Sequence, residues 1–151
     1  MIVVGSDVPG AGGTPGGLLT ELDHVGIAVR DLDAAVDYYA SAFGATVAHR
    51  EVIESDGVEE ALIAVADSYI QLLSPRREDS PVAKFLERHG EGLHHVGYRV
   101  DDCAAAVAAV RAAGGRLIDE EPRPGSRGTT VAFVHPKGAF GTLVELVQEP
   151  S

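Results

Sequence analysis

Apolar and polar residues alternate with a period of two in the segment LDHVGIAV, residues 22–29. The apolar residues fall on one face of this segment, and His24 falls on the other face. Such alternation is typical of a β-strand with one buried face. The same alternation returns in LHHVGYRV, residues 93–100, where His95 takes the place of His24. The pattern therefore predicts two related strands, each of which carries a histidine on the same face.

These two strands belong to a longer internal repeat. His24 aligns with His95 at an offset of 71 residues. Further along each copy, YIQLL resembles LVELV, and Gln71 aligns with Glu145 at an offset of 74 residues. A repeat of this length predicts two related structural modules, and the three additional residues belong in a loop.

A helical pattern follows the first strand of each copy. In AAVDYYASAF the apolar residues recur at i, i+3, i+4 and i+7, which is the spacing of an amphipathic helix. Asp31 or Asp33 can cap the start of this helix, and Gly44 can end it. In copy two, Asp101 or Asp102 and a pair of glycines bracket AAAVAAVRAA in the same way.

Three more strand-like runs follow each helix: TVAHREVI, VEEALIAV and SYIQLLS in copy one, and GRLIDEEP, TTVAFVHP and GTLVELVQ in copy two. We therefore expect an α+β fold of two tandem βαβββ modules. Because one helix covers only one face of such a sheet, the histidine faces of the two curved mixed sheets should form a shared metal-binding cleft.

The domain boundaries follow from the same patterns. A single domain is expected at 19–150, preceded by a Gly/Pro-rich tail at 1–18 that should be flexible. Within the domain, module one is predicted at 19–73, a polar linker with a short helix beginning near Pro81 at 74–92, and module two at 93–150.

Composition excludes several classes of function. The chain has 23 acidic and 12 basic residues, a formal net charge of −11, which argues against a nucleic-acid partner. No apolar run approaches the roughly 18 residues of a membrane span, and the N-terminal segment lacks the basic and apolar regions of a signal peptide. The single cysteine, Cys103, allows no intrachain disulfide and fits a reducing compartment. We expect a cytoplasmic protein without a nucleic-acid or membrane partner.

Four polar side chains should face the cleft: His24, Gln71, His95 and Glu145. Two imidazole nitrogens, one amide oxygen and one carboxylate suit a divalent metal ion with open water positions. A single strand histidine is more often a core residue, but its recurrence at matched positions favours the ligand interpretation. A glycine two residues after each histidine leaves space beside the imidazole.

The paired segments DHVGIAV and HHVGYRV, with IQLL and VEL near the module ends, resemble the vicinal oxygen chelate superfamily over about residues 19–148. Within that superfamily, HREV followed by GVEEA, the linker SPVAKFLERHGEGLHHV and the segment HPKGAFGTLVEL look most like the methylmalonyl-CoA epimerase family. The resemblance implies paired βαβββ modules around a metal cleft. It carries the metal positions onto His24, Gln71, His95 and Glu145, and the catalytic glutamate onto Glu60.

The resemblance also implies a reaction, the interconversion of (2R)- and (2S)-methylmalonyl-CoA. A base removes the proton α to the thioester, an acid returns one to the opposite face, and a divalent cation stabilises the intermediate enolate. Glu60 is the predicted base, because burial on the inward face of VEEALIAV would raise its pKa. The corresponding strand of copy two, TTVAFV, has no carboxylate, so the resemblance suggests Glu145 as the second catalytic group, with a metal-bound water as the alternative. Relatives further imply cobalt, with nickel, manganese or zinc as alternatives, an acyl-CoA substrate and a homodimer.

Other functions of the same scaffold remain open on sequence grounds. A glyoxalase I-type lactoylglutathione lyase normally has a second glutamate where Gln71 stands. An extradiol dioxygenase uses two histidines and one glutamate on iron, which leaves Gln71 and Glu60 unexplained. A non-catalytic ligand-sequestering protein often lacks the metal ligands altogether.

The remaining polar residues have simpler interpretations. Alternation places His94 away from His95, so we interpret His94 as structural. His49 and His89 look like surface residues, whereas His135 should lie near the cleft mouth. The basic residues available for the diphosphate of a CoA are Arg76, Arg77, Lys84, Arg88, Arg123, Arg127 and Lys137.

Overall fold

The computed structural model describes residues 17–151, so the predicted flexible tail lies outside the described residues except for its last two positions. Three helices and eight strands make up the described chain. They run in the order β1 (Leu19–Ala28), α1 (Leu32–Phe43), β2 (Val47–Ile53), β3 (Val58–Val65), β4 (Ser68–Pro75), α2 (Pro81–His89), β5 (Gly92–Val100), α3 (Cys103–Ala112), β6 (Arg123–Pro124), β7 (Thr130–Val134) and β8 (Val144–Gln148).

All eight strands form one curled sheet in the order β2-β3-β4-β1-β5-β8-β7-β6. The first four positions belong to the first copy of the repeat and the last four to the second. Inside each copy the first strand pairs in parallel with the last, β1 with β4 and β5 with β8. The copies join through the antiparallel pair β1–β5. The predicted α+β fold of tandem modules with mixed sheets is confirmed.

Side-chain caps explain where the two repeated helices begin. Asp31 accepts a hydrogen bond from the Ala34 N–H at 3.0 Å, and Asp102 accepts one from the Ala105 N–H at 3.1 Å. These two aspartates are related by the repeat, so the same residue of each copy starts its helix. Gly44 ends α1 with φ +64, a left-handed conformation that favours glycine.

Helices α1 and α3 cover the convex face of the sheet, and α2 packs against the opposite face. No helix among residues 17–151 is long and apolar enough to cross a membrane. Each helix shields its own apolar cluster, so the core is divided among three places. The buried members are Leu32, Ala61, Ile63 and Leu72 under α1, Cys103, Val107, Ala132 and Leu146 under α3, and Val58, Leu73, Val82 and Leu86 at α2.

The second copy departs from prediction at its outer strand. The run GRLIDEEP was expected to form a strand, but only Leu117 makes an isolated bridge, to Val134, and β6 is two residues long. The Asp119 carboxylate accepts a hydrogen bond from the Phe133 N–H at 2.8 Å. A side chain has therefore taken the place of a strand partner, and the ladder ends there.

Candidate active site

Three of the four predicted metal ligands meet on the concave face of the sheet. The Nε2 atoms of His24 and His95 lie 2.8 Å apart. Oε1 of Glu145 lies 3.0 Å from the first nitrogen and 3.1 Å from the second. Both histidines are buried. The structure thus brings together side chains from β1, β5 and β8 that are far apart in sequence.

Gln71 occupies a fourth side of this group. It lies on β4 beside Gly26 of β1 and lines the same cleft as His95 and Glu145. Its Nε2 donates a hydrogen bond to Glu60 at 2.7 Å, whereas its Oε1 is buried without a hydrogen-bond partner among the described residues. A buried acceptor left unpaired costs about 1–3 kcal/mol. A cation held by the three neighbouring ligand atoms would satisfy this oxygen.

Glycines make room for both imidazoles, and they do so across the seam between the copies. A Cβ atom on Gly26 would overlap the ring of His95, and a Cβ atom on Gly97 would overlap the ring of His24. The sequence predicted that these glycines would leave space beside the histidines. In the structure each glycine accommodates the histidine of the other copy.

The outer nitrogen of each imidazole is held by the residue that precedes it. His24 Nδ1 lies 2.7 Å from Asp23 Oδ2, and His95 Nδ1 lies 2.9 Å from His94 Nδ1. Because a carboxylate only accepts, His24 carries a proton on Nδ1. Burial and the neighbouring His95 lower the pKa of His94 to about 4, so His94 is neutral and its Nδ1 can accept a hydrogen bond from His95 Nδ1. Both Nε2 atoms are then free to act as ligands, as in other metal-binding histidines.

A β-bulge in each copy explains this arrangement. Along β1 the pairing with β5 skips Asp23, and along β5 it skips His94. Each skipped residue is the additional one of a bulge, which turns its side chain toward the following histidine. Strict alternation had placed His94 away from His95, so that prediction was wrong. His94 also packs against the ring of Phe85 on α2, at 4.9 Å between centroids.

A network of charges surrounds His24. Burial alone would raise the pKa of Asp23, but hydrogen bonds from His24 and Arg99 hold this pKa below its usual value. Burial alone would lower the pKa of His24, but Asp23 and Glu145 raise this pKa to about 9. Likewise the two imidazoles keep the pKa of Glu145 low despite its burial. A proton on His24 Nε2 and a divalent cation are alternatives at this position, because metal binding releases ligand protons.

Glu60 lies on the cleft face, as predicted, and its side chain is 0% exposed. It pairs in register with Leu73, and Leu62 pairs with Gln71, so these residues share one face of the sheet. Burial raises the pKa of Glu60, and the hydrogen bond from Gln71 with the nearby Ser126 hydroxyl only partly offsets this rise. Oε2 of Glu60 has no hydrogen-bond partner among the described residues. A buried carboxylate of this kind is suited to take up a proton.

The neighbouring Glu59 points to the other face, where Arg50 donates a hydrogen bond to it at 2.8 Å. The two adjacent glutamates thus have opposite environments. This outcome matches the expectation from strand alternation.

Of the seven basic residues considered for the CoA diphosphate, only Arg123 lines the main cleft within the described chain. Its guanidinium lies 5.5 Å from the centre of the Phe133 ring and 3.3 Å from Asp56. Arg127 instead binds Asp23 at 3.4 Å and Glu149 at 3.3 Å. Arg123 is therefore a residue of the cleft, whereas Arg127 supports His24 through Asp23.

His135, predicted near the cleft mouth, caps a 3₁₀ turn at Pro136–Gly138. Its Nδ1 accepts a hydrogen bond from the Lys137 N–H at 3.0 Å. His135 does not line the cleft that holds Gln71, His95 and Glu145.

Comparison with known proteins agrees with this geometry. Residues 23–133 match the family model of the glyoxalase/bleomycin resistance protein/dioxygenase superfamily. The ethylmalonyl-CoA/methylmalonyl-CoA epimerase of Cereibacter sphaeroides is 41% identical over 133 residues, which cover 87% of this chain and 99% of that protein.

Two solved structures are also similar. A methylmalonyl-CoA epimerase in complex with methylmalonyl-CoA and NH4+ is 45% identical with a TM-score of 0.84, over 88% of this chain and 96% of that chain. The methylmalonyl-CoA epimerase of Mycobacterium tuberculosis is 42% identical with a TM-score of 0.86, over 89% of this chain and 91% of that chain.

Proposed function

The chain belongs to the glyoxalase/bleomycin resistance protein/dioxygenase superfamily, and we propose that it interconverts (2R)- and (2S)-methylmalonyl-CoA. The observation that carries this proposal is the fully buried Glu60, hydrogen-bonded to Gln71, which lines the same cleft as His95 and Glu145 of the cluster with His24. A base beside a cation site is the arrangement that proton removal next to a carbonyl group requires. Similarity to the two solved epimerases and to the C. sphaeroides enzyme supports the choice of substrate.

The four residues proposed to hold a divalent ion are His24, Gln71, His95 and Glu145. Their nitrogen and oxygen atoms accept cobalt, nickel, manganese or zinc, and we favour cobalt because the resemblance to the methylmalonyl-CoA epimerase family implies it. When bound, the ion supplies positive charge close to where negative charge develops on the thioester oxygen during proton removal. Asp23 and His94 keep the two imidazoles oriented toward that position.

Glu60 is proposed to remove the proton from the carbon between the thioester and the carboxylate of the substrate. The amide of Gln71 holds Oε1, which leaves Oε2 as the oxygen that receives the proton. Desolvation brings the pKa of Glu60 closer to that of a neutral-pH base. Val58 and Leu73 line the same part of the cleft and exclude water from it.

Glu145 is proposed as the group through which a proton returns to the opposite face of that carbon, and because the two imidazoles keep its pKa low, this proton must first reach it from water. It lies on the far side of the seam from Glu60, in the second copy of the repeat. Its Oε1 lies 3.0 Å from Nε2 of His24 and 3.1 Å from Nε2 of His95. An acyl-CoA substrate and a homodimer complete the proposal.

The test is deuterium incorporation from D₂O at the α-carbon of methylmalonyl-CoA. We expect exchange by the metal-loaded protein, loss of exchange with a chelator and recovery when the ion is restored. The hemithioacetal of methylglyoxal and glutathione serves as the control substrate, and we expect no turnover of it. Absence of exchange by the metal-loaded protein would overturn the proposal, and turnover of the control substrate would favour a lactoylglutathione lyase instead.

A further inference from the structure

A second group of potential ligands lies beside Glu60, on the outer strands of the first copy. Glu51 of β2 pairs directly with Glu60 of β3, and His49 lies two residues before Glu51 on the same face. Nε2 of His49 is 2.8 Å from Glu51 Oε1 and 3.9 Å from Glu60 Oε2. One ligand atom from each of the three residues falls within 4.8 Å of the others.

Glu51 and Glu60 lie directly opposite each other, so a positive charge between the two carboxylates would stabilise them. Like charges directly opposite each other on neighbouring strands are destabilising. The groups that face this pair are the His49 imidazole, the Gln71 amide and Ser126 hydroxyl beside Glu60, and the N–H of Arg127, which donates to Glu51 Oε1 at 3.1 Å. The Arg127 guanidinium is turned away toward Asp23 and Glu149.

The Glu60 side chain supplies a separate indication of a ligand. Its Oε2 is buried and has no hydrogen-bond partner among the described residues, although the side chain is 0% exposed. This unpaired oxygen points toward the imidazole of His49. The distances of 2.8 and 3.9 Å lie on either side of the separation of about 3.4 Å expected between two ligands of a tetrahedral zinc ion.

We propose that His49, Glu51 and Glu60 form a second cation site of the zinc type, distinct from the group of His24, Gln71, His95 and Glu145. One imidazole and two carboxylates give the site a donor set that zinc accepts, with a fourth position open to water. His49 is 35% and Glu51 36% exposed at the side chain, so a cation can enter from solvent. A cation at this site holds the Glu60 carboxylate and prevents it from taking up a proton. This last consequence rests on the proposed function, whereas the binding itself does not.

Equilibrium dialysis of the full chain against Zn²⁺ tests the site. We expect two Zn²⁺ per chain in the natural protein and one in His49→Ala, with the affinity of the second site reduced at least about 100-fold, the upper end of what losing even an outer partner costs. Glu51→Gln is the second variant and should show the same loss. Glu54→Gln removes a carboxylate from the same hairpin outside the cluster, and it should still bind two ions.

The outcomes separate this proposal from the proposed function. One Zn²⁺ per chain that both His49→Ala and Glu51→Gln retain, or two in both variants, would overturn the second site whether or not the protein is an epimerase. If the second ion binds, the natural protein should lose proton exchange as that site fills. His49→Ala should keep its proton exchange over the same range of Zn²⁺ concentration, when the rate of each protein is compared with its own rate before the second site fills. Filling of the second site without loss of exchange would overturn the blocking of Glu60.

Discussion

The two copies of the repeat agree where they meet and differ where they are farthest apart. Near the seam, His24 matches His95 and Gln71 matches Glu145, so both copies contribute ligand atoms. On the outer strands the agreement ends. In the first copy, Glu60 pairs in register with Leu73. The residue of the second copy that is equivalent to Leu73 is Val147, and it pairs with Val131. A buried carboxylate in one copy therefore stands opposite a buried valine in the other.

The next strand outward extends this difference. Glu51 pairs with Glu60 in the first copy, and Arg123 pairs with Val131 in the second. The side of the cleft formed by the first copy is therefore acidic, and the side formed by the second copy carries the Arg123 guanidinium. The comparison indicates that the seam strands carry matched candidate ligands, while the outer strands present different chemistry on the two sides of the cleft.

The largest effect should follow from removing the carboxylate that only one copy has. Glu60→Gln keeps the shape of the side chain and its contact with Gln71 but cannot accept a proton. We expect proton exchange at the α-carbon of methylmalonyl-CoA to fall about 10²–10⁴-fold, the range for loss of a general base. Affinity for Co²⁺ at the group of His24, Gln71, His95 and Glu145 should stay unchanged, which isothermal titration calorimetry can measure.

Glu59→Gln is the matched control for that variant. Its side chain lies on the opposite face and forms a partly exposed ion pair with Arg50. We expect nearly normal exchange, because such surface pairs contribute about 0–1 kcal/mol to stability. Equal losses in the two variants would show that the difference between the copies is not the source of the base.

The second prediction concerns the part that the copies share. His24→Ala and His95→Ala should weaken binding of Co²⁺ to a similar extent, because each removes one imidazole from the same point. In the natural protein, Co²⁺ at 100 times its dissociation constant should stabilise the fold by about 2.7 kcal/mol. Thermal unfolding with and without the ion measures this, and a metal-dependent shift that persists in both variants would contradict the predicted ligand set.

Substitution of Gly26 or Gly97 should have a smaller effect, and the loss of stability should be similar in the two variants. A methyl group in Gly26→Ala collides with His95, and one in Gly97→Ala collides with His24. Overpacking of this kind costs about 1–3 kcal/mol of the free energy of unfolding. Urea denaturation should show similar losses in the two variants, together with weaker metal binding. A large loss in one variant alone would mean that the copies are less alike at the seam than the structure shows.

The smallest effect should be a gain in stability. Glu60→Val places in the first copy the residue that the second copy has. It removes a buried oxygen without a partner, which costs about 1–3 kcal/mol, but it also leaves the Gln71 amide without its acceptor. We expect the free energy of unfolding to rise by about 1 kcal/mol while proton exchange is lost. A clear decrease in stability in urea denaturation would contradict this reading of Glu60.

The sequence predicted the seam well because period-two alternation and the repeat both act there. Either signal places His24 and His95 on one face, and the repeat adds Gln71 and Glu145. The caps at Asp31 and Asp102 were also within reach, because a side-chain cap depends on neighbouring residues only.

Other features depend on contacts that alternation does not describe. Asp23 and His94 support the histidines because each copy has a β-bulge, and a bulge reverses the face that alternation assigns. The repeat offered a signal here, since Asp23 and His94 are themselves related at an offset of 71. Arg127 reaches Asp23 from a left-handed backbone conformation with φ +56, which a residue other than glycine rarely adopts.

The crossed packing of glycine and histidine has a consequence for how such a chain could arise. The glycine of each copy leaves the space that the imidazole of the other copy fills. A single βαβββ unit would therefore supply only one partner of each glycine–histidine contact. A primitive ancestor with a single unit would have gained a working ion site only by associating with its own twin. Joining two such units in one chain would keep both halves of each contact together while allowing the outer strands to differ.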